Sequence, residues 1–182
     1  DFLDESKTLV IDIPPQLRGK NNDSSNEKVF VEKIKILIPY IEKSTIENVL
    51  FVSSTSVYGE VEETITEESD PKPDTESGKQ LLEVEMLLRN NQNFKTTVLR
   101  FGGLIGEDRN PVRSFAGKIN IDNPNKPINF IHQQDCIGII LKIIETKTYN
   151  ETFNAVAPFH PTRKEYYTQK ALELNLVPPE FI

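Results

Sequence analysis

Apolar residues fall into short runs along the chain, and their period changes from one run to the next. Residues 8–13 (TLVIDI) read as a strand, stopped by Pro14 and Pro15, which lack the amide hydrogen a sheet ladder needs. Residues 16–28 are polar and rich in Asn, Asp and Ser, the composition of a mobile loop. From 29 to 43, Phe30, Ile34, Leu37, Ile38 and Ile41 recur at spacings of three and four, which is one face of an amphipathic helix. Pro39 falls inside this helix and predicts a bend or a loosened last turn. Residues 49–52 (VLFV) are apolar without alternation, the pattern of a parallel strand covered by helices on both faces. That run passes directly into Ser53, Ser54, Thr55, Ser56, Tyr58 and Gly59. Hydroxyls just past the carboxyl end of such a strand sit where open α/β sheets bind ligands. A Ser/Thr-rich turn closed by glycine has the same composition.

The second half continues the alternation. An acidic, proline-bearing loop fills 60–74, and residues 77–89 predict a helix with Leu81, Val84 and Leu88 on one face. Residues 96–101 (TTVLRF) read as a third strand, followed by Gly102, Gly103 and Gly106. Residues 107–127 are irregular apart from a short helix at 113–118, and 127–132 are extended. Residues 135–146 predict a helix capped by Asp135, with Ile137, Ile140, Leu141 and Ile144 as its buried stripe. One more strand follows at 152–157, and then Thr162 and Glu165, spaced as a capping box, open a last helix that runs to 174. Strands alternating with helices predict an α/β fold with a Rossmann-like parallel sheet and flanking helices. We expect one domain, with the half-sheet in 1–109 and a small C-terminal lobe in 110–182 that also completes the sheet.

Composition narrows the partners. The chain has 182 residues and a formal net charge of −7, with no basic tract, which argues against a nucleic-acid or anionic-membrane surface. Cys136 is the single cysteine, so there is no internal disulfide framework, and a reducing compartment fits. The apolar runs are shorter than a membrane span and no secretory signal is present, so a cytoplasmic protein is expected. No Cys/His cluster has metal-ligand spacing, and no metal is expected. The chain opens on Asp1 and enters a strand within eight residues, as the middle of a longer protein would, although removal of a tag leaves the same start.

The segment SSTSVYG at 53–59, followed by Gly78 and Lys79 at a helix start, resembles the extended short-chain dehydrogenase/reductases, the superfamily of nucleotide-sugar epimerases and dehydratases. In that family a strand ends in Ser-Ser-x-x-Val-Tyr-Gly, and Tyr-x-x-x-Lys opens the next helix. LRFGGLIG at 99–106 is similar to its Leu-Arg-x-x-x-x-x-Gly segment, and NFIHQQD at 129–135 to its Asn-Phe-Ile-His-x-x-Asp segment. The motifs occur in family order, and the resemblance covers nearly the whole chain. It implies NAD or NADP as cofactor and a small-molecule substrate of nucleotide-sugar type. Ser54 falls on the catalytic Ser/Thr, whose hydroxyl donates to the substrate oxygen as charge develops there. Lys79 falls on the lysine that holds the nicotinamide ribose and, in the family, lowers the pKa of the catalytic tyrosine. Ser53 and Gly102 are further cofactor candidates. Thr55, Tyr58, Gly103 and Arg113 are the substrate candidates, although the Val-Tyr-Gly tyrosine is ordinarily structural in the family. Arg100 either reaches a phosphate or sits in a buried ion pair, and His132 reads as a structural residue.

Two departures limit the analogy. The catalytic tyrosine should stand four residues before Lys79, and that position is Thr75. A phenol can be tuned toward neutrality by a neighbouring ammonium; a threonine hydroxyl is too weak an acid for that and can only donate or relay a hydrogen bond. The family's Gly-x-Gly-x-x-Gly turn, which seats the pyrophosphate before the fourth strand, has no counterpart here. Residues 8–13 correspond to that fourth strand. The resemblance therefore implies the C-terminal half of the doubly wound fold, with roughly eighty residues missing upstream. It also implies weak or no NAD(P) binding by this chain alone. An open edge on the first strand would invite a homodimer. A non-catalytic nucleotide-binding or regulatory protein on the same fold is the alternative reading.

Overall fold

A computed structural model describes residues 3–15 and 29–182; the loop expected at 16–28 lies outside the described residues. In chain order the elements are β1 (Thr8–Ile11), α1 (Val29–Glu42), β2 (Asn48–Ser54), a 3-10 turn (Thr55–Tyr58), α2 (Glu76–Arg89) and β3 (Lys95–Phe101). There follow β4 (Gly103–Ile105), a second 3-10 turn (Pro111–Ser114), β5 (Phe130–His132), α3 (Gln133–Thr146), β6 (Thr152–Ala155) and α4 (Arg163–Glu173). They form two compact units. The first holds β1 to β3, the end of α3 from Ile140, and β6; the second comprises Gly102–Ile139 and Val156–Ile182. The first unit thus ends its leading stretch at Phe101 and takes in β6, which completes the sheet.

The first unit is an α/β layer structure on a four-stranded sheet of order β1-β2-β3-β6, parallel at every pairing. Val49, Leu50 and Phe51 of β2, and Val98 and Leu99 of β3, have no exposed surface, which explains the unalternating apolar runs. On one face α1 contributes Phe30, Val31, Ile34 and Ile41, and α2 contributes Leu81, Val84 and Leu88, against Val49, Phe51 and Ile11. The periodicity of both helices thus marked the faces they bury. α1 continues through Pro39 to Glu42. Pro39 is exposed, so the hydrogen bond its ring removes faces water rather than the core.

Five expectations are corrected. β1 ends at Ile11, where its last pairing is with Phe51, and β6 ends at Ala155, paired with Phe101. The short helix expected at 113–118 is instead a 3-10 turn, Pro111–Ser114, in which the Asn110 carbonyl oxygen Oδ1 accepts from the Val112 amide. Proline at its first position needs no amide partner, so the turn starts two residues early. In α3 the buried residues are Cys136 and Ile143, while Ile137 and Leu141 are exposed and Ile140 and Ile144 are half-buried. The segment CIGIILKII is apolar nearly all round, so its pattern does not fix which face turns inward, and the buried line is rotated by one residue, ~100°. Finally, α3 begins at Gln133, and Nδ1 of His132 accepts from the Gln134 amide, so Asp135 lies in the first turn and the imidazole serves the terminus.

The second unit joins β4 and β5 as a parallel pair and packs α4 beside them. Val112, Ile128, Tyr167 and Ala171 form its core, and the Phe115 and Tyr167 rings stack at 4.1 Å. α4 opens on the capping box read from the sequence: Thr162 Oγ1 accepts from the Glu165 amide, and the Glu165 carboxylate accepts from the Thr162 amide. These backbone and side-chain bonds from Thr162 hold the Glu165 carboxyl below the usual glutamate range. A carboxyl depressed in the folded state stabilises it fully above the unfolded value and progressively less as pH falls through the folded one. Thermal unfolding scans between about pH 6 and about pH 3 should therefore show an acid-side loss that is smaller in Glu165→Gln. An identical acid-side loss in the variant would show that the cap is not linked to stability.

Candidate functional site

β2 carries Ser53 and Ser54 to its carboxyl end, in register with Arg100 and Phe101 of β3. Because side chains alternate along a strand, the two serines face opposite sides of the sheet. Ser53 is buried toward α2, and its hydroxyl donates to Glu85 Oε1 at 2.5 Å. Ser54 is half-buried, and its oxygen accepts from the Ser56 amide at 3.1 Å, capping the 3-10 turn. That bond uses an acceptor lone pair and leaves the Ser54 hydroxyl hydrogen without an acceptor among the described residues. Thr55 and Ser56 follow, both half-buried, and Gly59 closes the turn at φ 71°. A Cβ at Gly59 would run into the Lys72 carbonyl, so both conformation and space require glycine there.

The first turn of α2 lies against this segment. Thr75 is the N-cap, in extended conformation, and its Oγ1 accepts from the Gly78 amide at 3.1 Å. Lys79 N–H donates to the Thr75 carbonyl at 3.0 Å, which sets the two residues one helical turn apart, both exposed. A Cβ on Gly78 would come within 2.6 Å of the Ser56 carbonyl, so the missing side chain lets the helix close onto the turn. Ser54 and Thr55 thus flank or belong to a turn that packs against the helix start carrying Thr75 and Lys79. The capping role of Thr75 was legible as a hydroxyl three residues before Gly78; placing the helix start at 77 passed over it.

Behind the turn is a buried polar network. Arg100 donates from Nε and NH2 to both Glu85 oxygens, at 3.2 and 2.6 Å, and from NH1 to the Tyr58 hydroxyl at 2.7 Å. Its guanidinium carbon lies 4.9 Å from the Tyr58 ring centroid. The Tyr58 hydroxyl in turn lies 2.9 Å from Asn154 Oδ1 and 3.1 Å from the Thr66 carbonyl, and the Asn154 amide donates to Glu67 at 2.7 Å. Burial works against the Arg100 charge, but the hydrogen bonds and charge of Glu85, with the Tyr58 hydroxyl, outweigh it and hold the group above its usual range. Of the two roles open to Arg100, the ion pair is the one formed. Tyr58 is buried with its hydroxyl engaged inside the unit, which favours the structural role over contact with substrate. Glu85, Asn154 and Glu67 are not singled out by any motif. The usable signal was Glu85 itself, an acid between Leu81 and Leu88 on the apolar stripe of α2.

The other candidates belong to the second unit. Gly102 and Gly103 have a packing reason: a Cβ on Gly102 would strike the Asn129 carbonyl, and one on Gly103 would come within 2.6 Å of the Phe130 ring. The Gly103 amide donates to the Asn129 carbonyl at 2.7 Å. Arg113 is exposed on the second 3-10 turn. Among the described residues no group of three His, Cys, Asp or Glu could hold a metal ion, and no helix is long and apolar enough to cross a membrane.

No known family profile matches the chain. It is 34% identical over 181 residues to protein YeeZ of Escherichia coli K12, which covers the whole chain and 64% of YeeZ; the chain thus spans less than two thirds of that relative. Among solved structures it is similar to MoeE5 in complex with UDP-glucuronic acid and NAD, with a TM-score of 0.83, 17% identity, and coverage of 99% of this chain and 67% of MoeE5. A protein of Methylobacillus flagellatus, assigned to the NAD-dependent epimerases/dehydratases, superposes with a TM-score of 0.69 at 25% identity, covering 86% of this chain and 61% of its own.

Proposed function

We propose that this chain, which has the fold of the NAD-dependent epimerases and dehydratases, is part of an NAD(P)-binding protein of the extended short-chain dehydrogenase/reductase superfamily in which Thr75 replaces the catalytic tyrosine. The observation that carries the reading is the clamp of the Ser54–Tyr58 turn onto the first turn of α2 through Gly78, at the carboxyl end of a central parallel strand. Ser54 and Lys79 stand on these neighbouring segments, which supports the reading.

The residues present fit one end of a dinucleotide. Hydroxyls that both donate and accept, beside an ammonium with three donors, suit a ribose and the oxygen of a reacting carbinol. Ser53 was the other cofactor candidate on β2; its hydroxyl is held by Glu85, so it supports the sheet behind the turn. The chain contains no Gly-x-Gly-x-x-Gly turn to cradle a pyrophosphate. In this reading Ser54 polarises a substrate oxygen, and Lys79 orients the ribose. Thr55 contacts substrate, which by analogy with MoeE5 and its UDP-glucuronic acid is of nucleotide-sugar class. NAD or NADP, when bound, would supply the hydride chemistry.

One observation favours the non-catalytic alternative: the Thr75 hydroxyl is held as a helix cap and is no base. Both readings keep a ribose site, and that is testable directly. Titration with nicotinamide mononucleotide should shift the amide resonances of 54–59 and 75–80, with affinity near millimolar, and Lys79→Met should weaken it about tenfold. Dinucleotides should bind the chain no more tightly than the mononucleotide, since the pyrophosphate finds no cradle. Shifts elsewhere, or none, would remove the ribose site; micromolar dinucleotide binding would contradict the missing cradle.

A further inference from the structure

The second unit contains a pocket of about 230 Å3 whose lining includes Arg109, Asn110, His132, Tyr166, Lys170 and Glu173. None of these residues belongs to the Ser54–Lys79 segments, and the inference drawn from them does not rest on the function proposed above. Drug-sized ligands occupy pockets of ~300–1,000 Å3, so this one has room for a compact molecule of about monosaccharide size.

Arg109 is exposed; its Nε donates to the Leu104 carbonyl at 3.0 Å, and its two terminal nitrogens have no protein partner among the described residues. Those nitrogens form a flat edge whose two parallel donors match the oxygens of a carboxylate or phosphate. On α4, Lys170 pairs with Glu173 at 2.6 Å, and Gln169 donates to the other Glu173 oxygen at 2.9 Å. The Lys170 and Glu173 charges therefore offset each other, and Arg109 is the lining charge with no carboxylate partner. The Tyr166 ring is braced edge-on by Phe130 at 5.0 Å. Burial raises the pKa of its hydroxyl, which therefore stays protonated and able to donate. Because Nδ1 of His132 is an acceptor for the Gln134 amide, the ring hydrogen sits on Nε2.

We propose that this pocket binds a small hydroxylated oxyanion, with its carboxylate or phosphate seated on the terminal nitrogens of Arg109 and its hydroxyls on Tyr166, His132 and the Lys170–Glu173 pair. One cationic fork fixes the charged end, and a mixed set of donors and a carboxylate acceptor suits a polyol. Neutral sugars forgo the charge-assisted pairing with the guanidinium and so bind more weakly. It also separates this site from a general anion patch, because Lys170 is already neutralised by Glu173.

The test uses the full chain and three probes: gluconate, glucose 1-phosphate and glucose. Heteronuclear NMR titration should show saturable shifts at the His132 ring and the amides of 105–110 and 166–174 with at least one of the two anions, at least tenfold tighter than with glucose. Arg109→Gln should weaken that binding at least tenfold. Lys170→Met, which leaves the Arg109–Leu104 contact in place, should weaken it less. The His132–Gln134 amide resonance reports that each variant keeps the fold. Preference between the two anions identifies the charged group. Absence of shifts with both anions, equal binding of glucose, or undiminished binding in Arg109→Gln would each overturn the proposal.

Discussion

Arg100→Met is expected to lower the unfolding free energy by about 3–5 kcal/mol, because it leaves the Glu85 carboxylate buried with one hydroxyl partner, Ser53. Both ends of the Arg100–Glu85 pair are nearly inaccessible, at 7% and 3% of side-chain surface, so water cannot replace the missing charge. Glu85→Gln should cost less, since a neutral amide can still accept from Arg100, but it leaves the guanidinium without a counter-charge. Removing the whole pair as Arg100→Met with Glu85→Leu should recover most of the loss, because no buried charge remains. Urea unfolding of the wild type, Arg100→Met, Glu85→Leu and the double variant forms a double-mutant cycle. A coupling term near zero would mean that the two side chains do not stabilise one another, contrary to their 2.6 Å contact. The Arg100–Tyr58 and Ser53–Glu85 bonds, lost in one single variant each, are lost again in the double variant and cancel in the cycle.

If the function proposed above holds, Thr75→Tyr in the protein that contains this chain is expected to raise NAD(P)-linked turnover of a nucleotide-sugar by roughly 10²–10⁴-fold, the range that a positioned acid–base group supplies. Position 75 is the N-cap of α2, and its carbonyl accepts from the Lys79 amide, so a side chain there starts within one helical turn of Lys79. A phenol placed there would meet the ammonium that can favour its ionised form, which no threonine hydroxyl adopts near neutrality. The substitution also removes the N-cap bond to Gly78, at a cost of about 1 kcal/mol. Thr75→Ser, which keeps the cap and brings no phenol, is the matching control. Turnover unchanged in Thr75→Tyr, with the mononucleotide footprint intact, would leave the non-catalytic reading standing and remove the dehydrogenase one.

The fold was legible where burial and chemistry coincide. Val49 to Val52, the stripe Leu81–Val84–Leu88 and the Thr162–Glu165 box each announce one structure, because few arrangements hide four consecutive apolar residues or satisfy a capping box. α3 was not legible in the same way: its apolar residues surround the helix, and only the surface it meets decides that Cys136 and Ile143 turn inward. The site divides along similar lines. Ser54, Thr75 and Lys79 could be placed by order and spacing, but the partners that hold their surroundings come from distant segments. Asn154 reaches Tyr58 from the last strand of the sheet, and Glu85 meets Ser53 and Arg100 across a helix–sheet interface. Such pairs have no local signature. Gly78 was read only as part of a motif, and its physical reason, the Ser56 carbonyl lying against it, requires the tertiary structure.

The all-parallel sheet also governs how the protein folds in time. Thr8 pairs with Asn48, Asn48 with Lys95, and Val98 with Thr152, so every strand pairing closes a long stretch of chain and none can begin as a hairpin. Closing such loops costs entropy before any pairing rewards it, and sheets of this kind form on the slower side of the range for small domains. α2 can begin to wind from local contacts alone. The turn it clamps takes its packed shape when β2 and α2 come together, so the candidate site forms with that helix–sheet contact rather than before it.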